Sequence, residues 1–500
     1  MLQLGSTLPE IEALAARRKE EIRNTLDRLQ TRGATYYVSA EGNDDSDGKT
    51  PESAWKTPQK ASLAPLREGD AVLFRRGDVF RGAVQTASGV TYAAYGEGDK
   101  PRFYSWHQNL GCEALWSLVD AEHHIWRLND PILDVGTLVF DEGERHARKR
   151  IPSYRNGCFV CREDESRPFV MQDAMTQDLD LYWHFDTILT TKPSKGEDFP
   201  IPDVAAKDAL GTLYLRCDAG NPGSVFSSIE ALARCNLFHV GSNANVHIDN
   251  LCIKYVGCHA IAAGGVCVRG LHVTNCEIGW IGGCIQHYFG TDPNYPQGKR
   301  GTVTRYGNGV EIYGGCEDYE VSNCYIYQIY DAGITHQVTV GTTPRVMKTI
   351  RYENNLIEDC VYSIEYFLEK PSEECESYME DVEITGNLLR RSGYGWGQQR
   401  HNVDTPAHIK GWSYVNTAKE FSICNNLFDR AAYRMLHLVA EQPESCPRLE
   451  GNTYVQALGG CLGQYGANRT QEPPILPFNG QAEATVRQVF GDASATVVIL

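Results

Sequence analysis

Within the repeating second half of this 500-residue chain, polar residues are densest between positions 282 and 412. Four short segments of that region combine glycine or small residues with side chains suited to acid–base chemistry: 305–311 (RYGNGVE), 330–337 (YDAGITHQ), 362–366 (YSIEY) and 393–400 (GYGWGQQR). Cleavage of a glycosidic bond requires two carboxyl groups, one to protonate the leaving oxygen and one to attack the anomeric carbon or activate water. We therefore expect the chemistry of this chain to lie in these segments.

Asp331, Glu365 and Glu311 are the candidate catalytic carboxylates. Repulsion between neighbouring carboxylates, together with partial burial, would hold one of them protonated near neutral pH. Structural roles stand beside the catalytic ones. Asp331 can cap a turn, and Glu311 alternates with Val310 and Ile312 as the solvated face of a strand would.

Other polar and aromatic side chains of the same region are candidates for substrate binding. They are Arg305, Tyr306, Asn308, His336, Gln337, Trp396, Gln399, Arg400 and His408. Tyr306 and Trp396 offer flat faces on which a sugar ring can stack, and the others can bond its hydroxyl groups. A solenoid also uses polar ladders and aromatic stacks internally, which is the alternative for each of them.

A short alternation of apolar and polar residues ending in asparagine returns seven times in the second half of the chain. The asparagines are Asn250, Asn275, Asn323, Asn355, Asn387, Asn426 and Asn452, with spacings of 25, 48, 32, 32, 39 and 26 residues. Each unit is rich in Val, Ile, Tyr and Phe, which favours strands. Repeats with loops of unequal length indicate a solenoid, and we predict a right-handed parallel β-helix.

The register of neighbouring coils, about 4.8 Å apart, decides which residues meet. Counted from the repeat asparagines, Asp331 and Glu365 lie 8 and 10 residues on and would face the same way. Aligned instead on Ile334 and Ile364, Thr335 stacks with Glu365, and Asp331 moves to the preceding turn. Both alignments bring the two carboxylates within one coil of each other.

Five segments are predicted along the chain. Residues 1–33 form an amphipathic helix, begun by a capping box of Thr7 and Glu10, that closes the open end of the solenoid. A helix that binds a partner is the alternative. The other segments are the first coils (34–103), a Trp-rich inserted β subdomain (104–236), the main β-helix with the groove (237–470) and a C-terminal cap (471–500).

Composition limits the partners of this chain. A net charge of −17 argues against nucleic acid, and the basic run at 145–150 is expected to be a solvated loop. The charged residues of the first helix exclude a membrane span. Seventeen cysteines, an odd number and many of them inside the repeats, are expected to be reduced core residues. With no signal peptide expected, this favours a cytoplasmic protein.

No metal or other cofactor is expected. Cys158 and Cys161 form a lone C-x-x-C without the second pair of a zinc site. The turn 42–48 resembles the first half of a calcium loop, but Ala54 stands where the bidentate glutamate belongs.

The stretch 36–82, with Gly48, Trp55, Thr57, Gly69-Asp70 and Arg76-Gly77, resembles the opening coil of the pectate-lyase-like β-helix superfamily. That superfamily includes glycoside hydrolases, polysaccharide lyases, epimerases and phage tailspikes, so the resemblance implies the fold and leaves the reaction open.

The four segments are similar to those of uncharacterised β-helix proteins akin to the α-L-fucosidase/xylanase glycoside hydrolases. The strand around Glu365 resembles, more distantly, the acidic strand of β-helical β-xylosidases, in which the acid is an aspartate in an Asp-Trp-Glu context. This chain has Glu-Tyr-Phe there, and the next coil has Gln398-Gln399-Arg400 in place of a second acid.

The leading hypothesis is a glycoside hydrolase acting on oligosaccharides or small glycosides, as a monomer or small homo-oligomer. A polysaccharide lyase or uronate epimerase is the first alternative, for which Arg305 and His336 would supply the basic groups. A non-catalytic carbohydrate-binding β-helix is the second alternative.

Overall fold

The chain winds into a three-sided parallel β-helix. The computed structural model describes residues 7–27, 31–155, 157–185, 188–192, 197–206, 209–289, 301–339, 343–369, 376–400, 406–411, 417–467 and 473–500. The strand pairings form two long sheets of 18 and 13 strands, and the larger one follows two faces of the coil because Ile261–Thr274 and Val310–Ser322 each run from one face to the next. We call these two faces sheets I and III, and the coil strands of the smaller sheet form sheet II. The predicted fold class, a right-handed parallel β-helix with an N-terminal helix and an inserted β subdomain, is confirmed.

The strands of each sheet follow one another coil by coil. Sheet I contains Thr35–Val38, Ala71–Arg75, Thr91–Tyr95, Val246–Asp249, the second parts of Ile261–Thr274 and Val310–Ser322, Val346–Glu353, Tyr378–Thr385, Ala418–Cys424 and Arg448–Glu450. Sheet II contains Val79–Arg81, Arg102–Tyr104, Cys252–Val256, Glu277–Ile281, Tyr325–Ile329, Leu356–Glu358, Leu388–Ser392, Leu427–Ala431, Thr453–Gln456 and Thr496–Ile499. Sheet III contains Val84–Gln85, Phe238–Gly241, the first parts of Ile261–Thr274 and Val310–Ser322, Ala332–Thr339, Tyr362–Glu369, Ala407–Gly411, Arg434–Ala440, Gly460–Ala467 and the antiparallel Leu476–Phe478.

The corner between sheets I and II is a one-residue turn in the left-handed region. Five of seven successive coils place asparagine there: Asn250, Asn275, Asn323, Asn354 and Asn425, with φ between 51° and 60°. Gly386 and Gly451, both with φ of 68°, take the same place in the other two coils. Asparagine and glycine are the residues that adopt this conformation at least cost, which explains why they recur at this corner.

A second column of asparagines points into the interior one residue later. The Nδ2 atom of Asn355 donates to Asn387 Oδ1 at 3.0 Å, Asn387 Nδ2 to Asn426 Oδ1 at 2.9 Å, and Asn426 Nδ2 to Asn452 Oδ1 at 3.1 Å. Asn452 Nδ2 ends the series on the Asp492 carboxylate at 2.9 Å. Side-chain amides of this buried column thus bond from coil to coil, and at the corner Asn323 Nδ2 also donates to Asn275 Oδ1.

Cysteines replace asparagine in the buried column of earlier coils. Cys276 and Cys324 occupy it, and both are free thiols with no exposed surface. The described cysteines are all unpaired, as predicted, and many of them fill the core as small apolar residues would.

The N-terminal helix does not lie where it was predicted. Helix α1 (Pro9–Arg23) packs along the outer face of sheet II instead of closing the open end of the solenoid. Arg23 bonds Glu277 at 2.8 Å, and Lys19 reaches Glu358 at 3.3 Å, so the helix crosses successive coils. Its apolar stripe meets the residues Tyr325, Leu356, Leu388 and Val455 of that sheet.

The predicted limits of α1 were also wrong. Leu8 is the N-cap residue and makes no side-chain cap bond, so Thr7 and Glu10 do not form a capping box. Pro9 starts the helix because its fixed φ suits the first helical position. The helix ends at Arg23, well before the predicted stop at Gly33.

Four further short α-helices occur among the described residues. They are α2 (Pro58–Leu63), α3 (Met171–Ala174), α4 (Pro222–Val225) and α5 (Ala482–Gln488). Residues Ala482, Val486 and Phe490 pack into the main core beside the last coil. No described helix is long and apolar enough to cross a lipid bilayer.

The inserted subdomain has a core of its own, built on a five-stranded sheet. Its strands are Arg148–Lys149, Asp180–Phe185, Gly211–Arg216, Ile125–Leu128 and Trp116–Asp120. The remaining strands of this part are Val135–Phe140, Arg145–His146, Ile229–Ala233 and the hairpins Ser153–Arg155 with Cys158–Val160 and Leu189–Lys192 with Glu197–Pro202. A hairpin of Cys284–Tyr288 and Val303–Tyr306, which leaves the β-helix between sheets II and III, packs against this core through Ile285, Tyr288 and Val303.

The basic run at 145–150 has a structural role in this subdomain. It is mostly ion-paired strand, since Arg145, Arg148 and Lys149 pair with Asp178, Asp180 and Asp134. This corrects the expectation of a solvated loop.

Replacing Asn387 by alanine is expected to lower the free energy of unfolding by about 1–3 kcal/mol. The backbone N–H and the side-chain amide of Asn355 both donate to Asn387 Oδ1 and would lose this acceptor in the interior. Urea unfolding measures the change. Asn24→Ala, at the exposed end of α1, is the matched control and should leave stability within about 0.5 kcal/mol. Equal stability of the two variants would show that the buried amides do not hold the coils in register.

Candidate functional site

Sheet III arranges its side chains in columns. Ile261, Val310, Ile334, Ile364, Ile409 and Leu436 pair in register and point into the core. The residues that follow them therefore point outwards as a second column, the outer column: Ala262, Glu311, Thr335, Glu365, Lys410 and His437. Of the two alignments left open by the sequence, the structure has the one on Ile334 and Ile364.

A third column lies on the same face at the corner where each sheet III strand begins. It contains His259, Asn308, Ala332, Tyr362, Ala407 and Arg434, two residues before each core aliphatic. We call it the corner column. The two columns together form the candidate active site, in which every described charged residue of the outer column is less than 10% exposed.

Glu311 is held by three side chains. His259 Nδ1 lies 2.5 Å from Glu311 Oε2, Gln337 Nε2 donates to Oε1 at 3.1 Å, and Asn308 also bonds the carboxylate. Burial alone would raise the pKa of Glu311, but the charge and hydrogen bond of His259, with the bonds from Gln337 and Asn308, outweigh it and lower that pKa. Glu311 is therefore an ionised carboxylate at neutral pH.

His259 is the counter-ion of Glu311. Burial lowers the pKa of His259, but the adjacent Glu311 carboxylate more than offsets this, and Asp331 adds to the effect, so the pKa of His259 is raised. The ring also packs edge-on against Tyr306, with centroids 5.1 Å apart. His259 Nδ1 also accepts a hydrogen bond from the backbone N–H of Asn308 at 3.1 Å. The pair is a histidine–carboxylate contact on the surface of sheet III.

Asp331 stands at the corner before strand Ala332–Thr339 and forms an ion pair with Arg400. Arg400 follows the helical turn Trp396–Gln399, which lies outside the coil, and its guanidinium lies 5.5 Å from the ring of Tyr362. This ion pair places the guanidinium of Arg400 at the site and neutralises the charge of Asp331.

Glu365 and Lys410 are cross-strand neighbours in the outer column. Burial, together with the nearby charges of Arg400 and Arg434, lowers the pKa of Lys410, while the Glu365 carboxylate opposes the shift, and the result is a pKa of about 8. Lys410 Nζ also lies 3.5 Å from the Tyr362 hydroxyl and 4.7 Å from its ring centroid. A lysine of this kind exchanges its proton near neutral pH.

The predicted site residues fall into two groups. Glu311, Asp331, Glu365, Asn308, Gln337, Arg400 and Tyr306 are brought together on one face. Thr335 stands between Glu311 and Glu365, and its buried hydroxyl has no hydrogen-bond partner among the described residues.

The other predicted binding residues point away from this face. His336 lies inside the coil because it has the same parity as Ile334; its ring stacks on Tyr366 at 5.6 Å, and burial lowers its pKa to about 3. His408 is fully buried at the corner beside Phe428, and burial lowers its pKa to about 3 as well. Neither histidine can meet a ligand on the surface.

Arg305, Trp396 and Gln399 have structural roles. Arg305 donates to the carbonyl oxygens of Gly283 and Gly136 at 2.7 and 2.9 Å, joining the β-helix to the subdomain. Trp396 is buried, with its Nε1 donating to Gln328 O at 2.7 Å. Gln399 Nε2 donates to Ala147 O at 2.8 Å, which fixes the segment that carries Arg400.

Four residues of the site, His259, Lys410, Arg434 and His437, were not predicted from the sequence. A signal for them exists: each lies either two residues before or one residue after a core aliphatic of sheet III. Continuing the Ile334 and Ile364 alignment into Ile409 and Leu436 would have found three of them.

The described residues support neither a metal centre nor a binding site in the groove beside α1. Among the described residues, no group of three or more His, Cys, Asp or Glu side chains is placed to hold a metal ion. A wide groove of about 1250 Å³ opens between α1 and sheet II, and several charges along it are paired, Arg23 and Lys254 with Glu277 and Arg76 with Asp27.

No family model matches this chain, and no curated protein does either. Several solved structures are similar to this chain at low identity. A glycoside hydrolase is 11% identical, with 85% of this chain and 93% of the other covered and a TM-score of 0.41. XylC in complex with xylose is 11% identical over 93% and 82% of the chains, with a TM-score of 0.36. A rhamnogalacturonan lyase is 10% identical over 93% and 87%, with a TM-score of 0.35. At these identities and TM-scores the likeness assigns no reaction.

The His259–Glu311 pair predicts a pH window for stability. The lowered pKa of Glu311 adds stability that is complete above the ordinary value of 4.5 and is lost as pH falls through the folded-state value. The raised pKa of His259 adds stability that is complete below the ordinary value of 6.5 and is lost as pH rises through its folded-state value.

His259→Gln should therefore cost most unfolding free energy between pH 4.5 and 6.5, with a smaller cost on either side. Urea titrations of both proteins across pH measure this. His107→Gln, at an exposed histidine beside Trp106, is the control, and its effect on stability should not vary with pH in this way. A cost for His259→Gln that does not vary with pH would exclude the ion pair.

Proposed function

We propose that this protein is a carbohydrate-active enzyme, a glycoside hydrolase that uses Glu311 and Glu365 as its two carboxyl groups. The observation that carries the proposal is the outer column, in which one threonine separates two buried glutamates on the same face. Two strand spacings put their Cα atoms about 9.5 Å apart. An extended sugar chain laid along the column would meet both.

The surroundings of the two glutamates suggest different roles. Glu311, kept ionised by His259, is suited to activate water as a general base. Glu365 is then the proton donor to the leaving oxygen and regains its proton from solvent after each turnover. Asp331 orients Arg400 and takes no proton in this scheme.

Glu311→Gln and Glu365→Gln are each expected to lower kcat by about a hundredfold to ten-thousandfold, the usual share of a general acid or base. Turnover of a panel of aryl glycosides and oligosaccharides measures this. Glu317→Gln, on the same strand but in sheet I and paired with Lys348, is the matched control and should retain full activity. Full activity in both site variants would remove the carboxylate pair as the catalytic centre.

The spacing also predicts the stereochemical outcome. Carboxyl groups about 6.5–9.5 Å apart leave room for water and give inversion, whereas about 5–5.5 Å gives retention. With two strand spacings between Glu311 and Glu365, the first sugar product should have the anomeric configuration opposite to that of the substrate. Proton NMR of the products within the first minutes of reaction reads the configuration directly. A retained configuration would contradict this pair of catalytic residues.

A second candidate, a lyase that abstracts the proton beside a uronate carboxylate, is favoured by one observation. Lys410, with a pKa of about 8 and with Arg400 and Arg434 near it, has the properties of a general base near a substrate anion. The two reactions differ in pH dependence. Elimination by the neutral amine of Lys410 rises as pH increases through about 8, whereas hydrolysis by Glu311 and Glu365 needs no neutral lysine and does not rise there. An unsaturated, ultraviolet-absorbing product would establish the lyase.

A further inference from the structure

Arg434, in the corner column, is a buried cation whose guanidinium lies 5.1 Å from the ring centroid of Tyr433. Only 8% of its surface is exposed, and among the described residues no carboxylate lies within ion-pair distance of its guanidinium. Its Nη1 donates to His437 Nδ1 at 3.0 Å, and its Nε has no acceptor in the described part of the chain. Removing an unpaired charge from water is costly, so such a group is rarely kept unless something compensates it.

His437 adds a second unused donor. Burial, together with the charges of Arg434 and Lys410, lowers its pKa to about 3, so the ring is neutral at physiological pH. Because Nδ1 accepts from Arg434, the single ring proton is on Nε2. That Nε2–H also has no acceptor among the described residues. The arrangement offers donors only, which suits an oxygen anion.

At the Arg434 end of the site, the described positive charges outnumber the described negative charges. Asp331 is neutralised by Arg400, and Glu365 is the outer-column neighbour of Lys410. No described carboxylate remains for Arg434, although the whole chain has a net charge of −17. The surplus is local, and it lies on the same face as the two glutamates.

We propose that Arg434, His437 and Lys410 form a subsite for an anionic group on the carbohydrate, a carboxylate or a sulfate ester. The inference rests on the proposed function and narrows its substrate class to acidic sugars. His437 stands two strand spacings, about 9.5 Å, beyond Glu365 in the outer column. The anion therefore belongs to a sugar unit beside the scissile bond and not to the reacting unit itself.

Binding of simple probes tests the subsite without knowledge of the full substrate. Titration calorimetry with glucuronic and galacturonic acid, with glucose 6-sulfate, and with glucose and galactose compares charged and neutral sugars. We expect the charged sugars to bind at least tenfold more tightly than the neutral ones, and the uronic acid and sulfate arms identify which anion is preferred. Equal affinity for charged and neutral sugars would overturn the proposal.

Substitutions test whether charged sugars bind at Arg434. Arg434→Gln should reduce the affinity for charged sugars at least tenfold and leave neutral sugars unaffected, whereas Arg448→Gln, an exposed arginine of sheet I, should change neither. An unchanged preference in Arg434→Gln would place the anion elsewhere and contradict the proposal.

Stability gives a test that does not depend on a sugar. Tyr433 and His437 are neutral partners for Arg434, and a buried cation without an ion-pair partner lowers stability. Arg434→Gln should therefore raise Tm by a few degrees, and millimolar uronic acid should raise Tm of the parent but not of the variant. By contrast, Arg390→Gln, which removes a cation bonded to Glu358 and Asp429, should lower Tm. A lower Tm for Arg434→Gln would show that Arg434 has a structural role.

The outcomes separate this subsite from the proposed function. Loss of turnover in Glu311→Gln without any preference for acidic sugars rejects the subsite and keeps the hydrolase. Binding of uronic acid that depends on Arg434, without hydrolysis or elimination of any acidic oligosaccharide, keeps the subsite and rejects the enzyme.

Discussion

Stacking of coils in a fixed register is the constraint on which the rest of this structure depends. The buried asparagines 355, 387, 426 and 452 bond from coil to coil, and the core aliphatics of sheet III stack in the same register. A slip of one residue would put charged side chains into the core and aliphatics into water. Ile334, Ile364 and Ile409 face the core, so the residues that follow them lie together on the outer face.

Because the coils stack in register, neighbouring charged side chains shift one another's pKa. Side chains in one column are about 4.8 Å apart at their origins and are largely screened from water, so each strongly affects the next. His259 keeps Glu311 ionised, and Arg400 and Arg434 help to lower the pKa of Lys410. The site therefore combines a carboxylate half with a cationic half along a single sheet, which is the arrangement expected for an acidic sugar chain.

The periodicity of the sequence predicts most of the fold and part of the site. Alternation and the recurring asparagines predict the β-helix, and Glu311, Asp331, Glu365 and Arg400 do meet on one face. The predictions that were wrong concerned the direction of side chains and contacts between residues distant in sequence. His336 and His408 were expected on the surface because they are polar, yet position within the coil turns both inwards. Amphipathicity predicted α1, but only the exposed face of sheet II decides where it packs.

A double-mutant cycle on turnover tests most directly whether Glu311 and Glu365 act together as one centre. The singly and doubly substituted glutamine variants are compared on one glycoside cleaved by the parent protein. Residues that act as a unit are not additive, so the double variant should be about as slow as the slower single variant. Losses that multiply, so that the double variant is slower by the product of the two single effects, would show that the two glutamates act independently and would contradict a single catalytic centre built on both.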